Sequence, residues 1–86
     1  MGVTVLCFQQ MGCMGCSEQA PVNRGVEKDL HIRIEEIDVV QNPRFVRQYH
    51  LRVTPTTVIL VNGDEKKRFE GLVHGEELED ALKAYL

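Results

Sequence analysis

The sequence predicts one α/β domain over residues 1–86, with element order β-α-β-α-β-β-α and a four-stranded mixed sheet carrying helices on both faces. Three observations carry that prediction. An apolar run of strand formers, Thr4-Val5-Leu6-Cys7-Phe8, leads into a Cys13-x-x-Cys16 motif at the head of a helical stretch. A β-branched run, Thr56 to Val61, is followed by the hairpin signal Asn62-Gly63. Between the second and third strands, Asn42-Pro43 places an N-capping residue and a first-turn proline side by side, the sequence mark of a helix start.

Each element has its own reason. Thr4–Phe8 is continuously apolar, as a strand covered on both faces must be. Cys13 opens a helix reaching Leu30, with Ala20, Val22, Val26 and Leu30 as its apolar stripe. Pro21 lacks the N–H that an interior helical position needs, and Gly25 weakens the helix further, so a bend or break is expected in the second half. His31–Val40 reads as the second strand, with Ile32, Ile34 and Ile37 facing the core. Asn42 then caps a short helix buried through Phe45, Val46 and Tyr49, and closed by His50-Leu51-Arg52. Thr56–Val61 is the central strand. Its return partner, Glu65–Glu70, carries Lys66, Lys67 and Arg68 with Phe69 as its anchor, a charged pattern suited to an exposed edge. Gly71 ends it. Glu76 and Glu77 sit where they favour the positive end of a last helix, whose inner face is Leu78, Ala81, Leu82 and Tyr85. The first two strands, joined through a helix, are expected to be parallel and right-handed.

Composition narrows the function. With 43% hydrophobic and 27% charged residues the chain is ordinary globular material. Ten lysines and arginines against thirteen acids give a net charge of −3, and the basic residues are scattered, so no nucleic-acid partner is expected. No apolar run approaches the ~18 residues of a membrane span, and Met1-Gly2-Val3 carries no basic leader region. Three cysteines are an odd number for a stapled secreted domain and suit a reducing cytoplasm.

The Cys13–Cys16 spacing carries chemistry. Positions three apart on a helix bring Cβ atoms to about 5–6 Å, and a disulfide needs roughly 3.5–4.5 Å. A slight tightening of one turn therefore switches the pair between bonded and free. Cys13, at the helix N-terminus, meets unpaired N–H groups that favour a thiolate; Cys16, one turn inside, is more shielded. Cys13 is thus the expected nucleophile and Cys16 the resolving thiol. Met11 and Met14 flank the pair as an adaptable apolar rim. The competing reading is a carrier of soft Cu(I) or Zn(II), because Met11-x-Cys13-x-x-Cys16 resembles the loop of heavy-metal-associated domains. Those domains run β-α-β-β-α-β and end in a strand, whereas this chain is predicted to end in a helix.

Across nearly its whole length the sequence resembles the thioredoxin superfamily, in the compact size of glutaredoxins. The resemblance rests on the Cys13/Cys16 pair, on Ala20-Pro21 within the active-site helix, and on Gln41-Asn42-Pro43 followed by Tyr49 and Arg52. It rests further on Val53-Thr54-Pro55-Thr56, on Asn62-Gly63, and on Gly71. It implies a thiol–disulfide oxidoreductase whose electrons are carried by the cysteine pair itself, with no bound cofactor and no metal. It implies that Thr54-Pro55 is a cis bond facing the cysteines, and that Gly12, Met14, Thr54, Pro55, Gly71 and Leu72 form the substrate-binding surface. Protein disulfides are the implied substrates and a flavin-dependent thioredoxin-type reductase the implied electron donor, ahead of glutathione, with the chain acting as a monomer. The departures are a Met14-Gly15 insert, Gly12 where a tryptophan is usual, and Cys7 where the family places a first-strand acid. A water or Glu36 is left to receive the proton of the second cysteine.

Overall fold

Alternation between the two faces of one sheet organises the molecule. The computed structural model describes residues 2–86, so Met1, part of the chain start read above, lies outside the described residues. Seven elements follow in order: β1 (Val3–Gln9), α1 (Met14–Leu30), β2 (Ile34–Asp38), α2 (Arg44–Gln48), β3 (Thr56–Val61), β4 (Asp64–Glu70) and α3 (Gly75–Lys83). The four strands lie in the order β2-β1-β3-β4. β1 runs parallel to β2, with Cys7 opposite Glu36, and antiparallel to β3, with Cys7 opposite Thr57. β4 closes the edge as the antiparallel partner of β3, with an irregularity at Ile59/Leu60.

Successive side chains of β1 therefore serve two cores. Val5 and Cys7 join Val26, Ile34, Ile59, Val73, Leu78 and Leu82 on the side covered by α1 and α3. Leu6 and Phe8 join Val39 and Val58 on the side covered by α2, with Phe45 and Tyr49 packed against them. Phe8 sits at ring-centroid distances of 5.6 Å from Phe45 and 5.1 Å from Tyr49, which fixes α2 to the sheet.

Several expectations need correction. α1 is one continuous helix through Pro21 and Gly25, without the anticipated break. Pro21 lies on the exposed side, so the carbonyl it leaves without a donor faces water. The buried positions of α1 are Cys16, Gln19, Asn23 and Val26; Ala20, Val22 and Leu30 are only partly covered. The second strand begins at Ile34 and not at His31, because His31 adopts a left-handed conformation as the C-cap of α1. Ile37 points to the α2 face, opposite Ile34, as strict alternation demands. Pro43, not Asn42, is the N-cap of α2, and the Asn42 side chain instead donates to the Asp38 carbonyl. Val46 is exposed. Phe69 is not the sole anchor of β4, since half-buried Arg68 donates to the Tyr49 carbonyl at 2.7 Å.

Candidate active site

The site forms where β1 ends and α1 begins. Gly12 turns the chain with φ +83°, a left-handed value that glycine adopts without strain. Cys13 follows as the N-cap of α1, with extended φ −89° and ψ 114°. Its sulfur therefore sits at the helix head and accepts the Cys16 N–H at 3.1 Å. One of the orphan donors of the first turn is spent on sulfur, and the dipole adds to the same effect. The Cys13 and Cys16 sulfurs are bonded to each other across a Cα separation of 5.2 Å. Their surroundings differ: Cys13 is half-buried, whereas Cys16 is only 6% exposed.

A loop 41 residues further along the chain closes over the pair. The Thr54–Pro55 bond is cis. The Thr54 carbonyl oxygen lies 3.4 Å from Cys13 Sγ. A Cβ on Gly15 would stand 3.0 Å from Pro55 Cδ, so the first turn of α1 rests directly on the proline ring. Gly71 donates its N–H to the Pro55 carbonyl at 2.8 Å, which brings the residues after β4 to the same place. Thr56 Oγ1 donates to the Val53 carbonyl at 2.6 Å, and Arg52 reaches Glu70 through two nitrogens at 3.2 and 2.6 Å. The loop is thus tied at both flanks.

Cys13, Cys16, Thr54, Pro55 and Gly71 are in this way brought together. Gly12 precedes the pair and Met14 lies within it, both exposed, and Leu72 lies exposed one residue beyond Gly71. Met11 is 92% exposed. Cys7 lies apart from the pair, buried on the α1 side of β1; burial is the main cause pushing its thiol pKa up.

Sequence reasoning missed a buried polar chain behind the pair. Gln19, one turn after Cys16, accepts the Val73 N–H at 2.9 Å and donates to the Val73 carbonyl at 3.1 Å. It also donates to Asn23 Oδ1 at 3.1 Å, and Asn23 donates to Glu36 Oε2 at 3.2 Å. Hydropathy gives no signal for these amides. Their helical spacing from Cys16 is the one available clue, since 16, 19, 23 and 26 share a face.

The order of elements is not that of the soft-metal domains, because α2 stands between β2 and β3 and the last element is a helix. Among the described residues no helix is long and apolar enough to cross a membrane, and no group of three or more His, Cys, Asp or Glu is gathered for a metal ion.

Comparison with known proteins agrees with this geometry. The thioredoxin family profile matches residues 2–84. The chain belongs to the thioredoxin family. It is 28% identical over 78 residues to a thioredoxin of Chlamydia trachomatis, covering 90% of this chain and 76% of the relative. It is 31% identical over 80 residues to thioredoxin H5 of Oryza sativa, covering 92% of this chain and 58% of the relative. Among solved structures, thioredoxin-2 of the malaria parasite superimposes with a TM-score of 0.90 at 25% identity, over 96% of this chain and 82% of that one. Thioredoxin 1 of Thermosipho africanus gives 0.83 at 29% identity, over 95% and 92%. The chemistry of this thioredoxin-family protein is thiol–disulfide exchange at a Cys-x-x-Cys dithiol, and protein disulfides are its substrate class.

Proposed function

We propose that this thioredoxin-family protein reduces protein disulfides with Cys13 as the attacking sulfur and Cys16 as the resolving one. The observation that carries the assignment is the asymmetry of the pair: Cys13 heads the helix and accepts the Cys16 N–H at 3.1 Å, while Cys16 is 6% exposed. The Cys13 thiolate attacks one sulfur of a substrate disulfide, and the other leaves as a thiolate. Cys16 then attacks Cys13 Sγ, the Cys13–Cys16 bond forms, and the second substrate sulfur leaves. Two electrons pass from the pair to the substrate, so the dithiol is its own carrier and no further cofactor takes part.

The Thr54 and Gly71 backbones, with Pro55 between them, form the seat for an extended substrate segment. Gly12, Met14 and Leu72 form its rim, where exposed Met14 and Leu72 offer adaptable apolar contact. A flavin-dependent thioredoxin-type reductase restores the dithiol. Cys7, a third thiol held unpaired in the core, supports a reducing cytoplasm as the working compartment, and the protein acts there as a monomer.

Insulin reduction driven by dithiothreitol tests the assignment. Cys13→Ser abolishes turnover, and Cys16→Ser accumulates a stable mixed disulfide at Cys13, read by mass spectrometry. Activity that survives Cys13→Ser refutes it. Reoxidised protein offered in parallel to NADPH with a thioredoxin reductase and to reduced glutathione settles the donor; faster reduction by glutathione overturns that part.

A further inference from the structure

Resolution of the mixed disulfide requires Cys16 to lose its proton while 94% covered by protein, and burial disfavours a thiolate. Some nearby base must take that proton. Cys16 lines an open cleft of about 430 Å³ together with Gln9, Ser17, Ala20, Glu36 and Asp38. Two carboxylates therefore share the cleft with the thiol. Asp38 serves the local backbone: its Oδ1 accepts the N–H groups of Val40 and Gln41 at 2.8 and 3.2 Å, closing the turn after β2, and among the described residues no α1 side chain donates to it.

Glu36 is held differently. It sits on β2 directly opposite Cys7, on the sheet face that α1 covers. Asn23 Nδ2 and Arg24 Nη2, both on α1, donate to the same oxygen, Oε2, at 3.2 and 2.9 Å. Oε1 has no protein donor among the described residues. Asn23 is itself fully buried and braced by Gln19, which follows Cys16 by one turn. One oxygen of the carboxylate is clamped and the other has no protein donor among the described residues, in a side chain that shares the cleft with the resolving thiol.

We propose that Glu36 is the proton acceptor for Cys16, working through a water in the cleft, with Asn23 and Arg24 as its positioning residues. The inference rests on Cys16 being the resolving thiol. In the step, the Cys16 thiol proton passes through the water to Glu36 Oε1. The Cys16 sulfur bonds to Cys13 Sγ, the bond between Cys13 and the substrate sulfur breaks, and the substrate leaves as a thiolate that takes up a proton from water or from Glu36. The charged groups around Glu36 are Arg24, with Glu27 behind it on α1, and Asp38 on its own strand; Cys7 faces it from β1. Arg24 keeps the clamped oxygen paired, so the field at Glu36 does not depend on the neighbouring acids alone.

A single-turnover experiment separates this step from the first. Reduced protein is mixed with dithiobis(nitrobenzoate): release of the first thionitrobenzoate reports attack by Cys13, and release of the second reports attack by Cys16. In Glu36→Gln, which keeps an acceptor for Asn23 and Arg24, the first phase stays at the wild-type rate. The second slows at least ~10-fold near neutral pH and recovers in strong alkali, where hydroxide deprotonates Cys16. Glu36→Asp keeps part of the second phase. A Glu36→Gln second phase equal to wild type at every pH overturns the proposal. If Cys16→Ser releases both equivalents, the resolving role of Cys16 fails instead, which is a different result. Should Glu36→Gln not fold, the carboxyl carbon of Glu36 is followed by NMR: its titration differs between the reduced protein and Cys16→Ala if the two groups share a proton path, and identical titrations refute it.

Discussion

Replacing Gln19 by leucine removes a polar brace from the core while nearly preserving volume. Gln19 is 1% exposed, Val73 2% and Asn23 0%. The amide of Gln19 satisfies both backbone groups of Val73, at 2.9 and 3.1 Å, and Asn23 Oδ1 at 3.1 Å. Leucine leaves all three without that partner, in a place water does not readily enter. A buried group left unmade costs about 1–3 kcal/mol, so three such groups cost several kcal/mol. Leucine recovers roughly 1 kcal/mol through added apolar burial. The net loss is about 2–8 kcal/mol, which for a domain of this size lowers Tm by roughly 10 °C or more. Val73 follows Gly71 and Leu72, so the same change loosens the rim of the site and raises KM for a protein disulfide more than it lowers kcat. Thermal unfolding by circular dichroism, alongside insulin-reduction kinetics, measures both. A Tm within about 5 °C of wild type would show that the pairing with Val73 is replaceable, and the account of this core would be wrong.

Three further outcomes follow from particular contacts. Gly15→Ala gains about 1 kcal/mol of helix propensity but drives a methyl to 3.0 Å from Pro55 Cδ, an overpacking worth roughly 1–3 kcal/mol. Stability therefore changes little or falls, while disulfide reduction drops by ~10-fold as the loop carrying Thr54 moves off Cys13; a more stable and fully active variant contradicts this. Glu27 accepts the Ile34 N–H at 2.7 Å and Arg24 Nε at 2.8 Å, and the bond from Ile34 is the main cause holding its carboxyl pKa below the ordinary value. Because the folded pKa is depressed, this stabilisation is present above the unfolded value of ~4.3 and is lost as pH falls through the folded one. Glu27→Gln is accordingly less stable than wild type by about 1–2 kcal/mol at pH 7, and urea titrations show the gap narrowing below about pH 4; a gap constant with pH rules out the linkage. In reduced native protein at pH 8, iodoacetamide labels Cys13 and spares buried Cys7, whose thiol is pushed upward by burial; peptide mapping that finds both labelled at one rate excludes this.

The fold was legible wherever apolar side chains did the specifying. The runs at Thr4–Phe8 and Thr56–Val61, the Asn62-Gly63 turn and the inner face of α3 each declare themselves by period and turn chemistry. The Cys13–Cys16 motif was legible because three-residue spacing at a strand-to-helix junction has few other uses. What escaped notice was set by tertiary context. Pro21 reads as a breaker from local rules, yet α1 continues, because packing on the sheet holds the helix and the unpaired carbonyl faces solvent. Val46 reads as core from its apolarity, yet the turn of α2 points it outward. Gln19 and Asn23 carry no hydropathy signal, yet they are buried because their amides satisfy one another and Val73.

Strand register explains how an acid comes to stand behind the cysteine pair without a first-strand carboxylate. β1 and β2 are parallel neighbours with Cys7 and Glu36 in register, so both side chains enter the same layer under α1. Cys7 is small and uncharged there, with burial holding its proton on. A longer side chain from β2, Glu36, enters the layer that a β1 acid at position 7 would enter. An isolated carboxylate in that layer is costly; Asn23 and Arg24 remove the cost at one oxygen only. That half-satisfied state is not demanded by the clamp, since Arg24 is already paired with Glu27 and a glutamine would serve Asn23 equally well. It makes sense if the second oxygen has work to do at the neighbouring thiol, and Glu36→Gln, which alters that oxygen and little else, is therefore the substitution on which the structural and chemical accounts diverge.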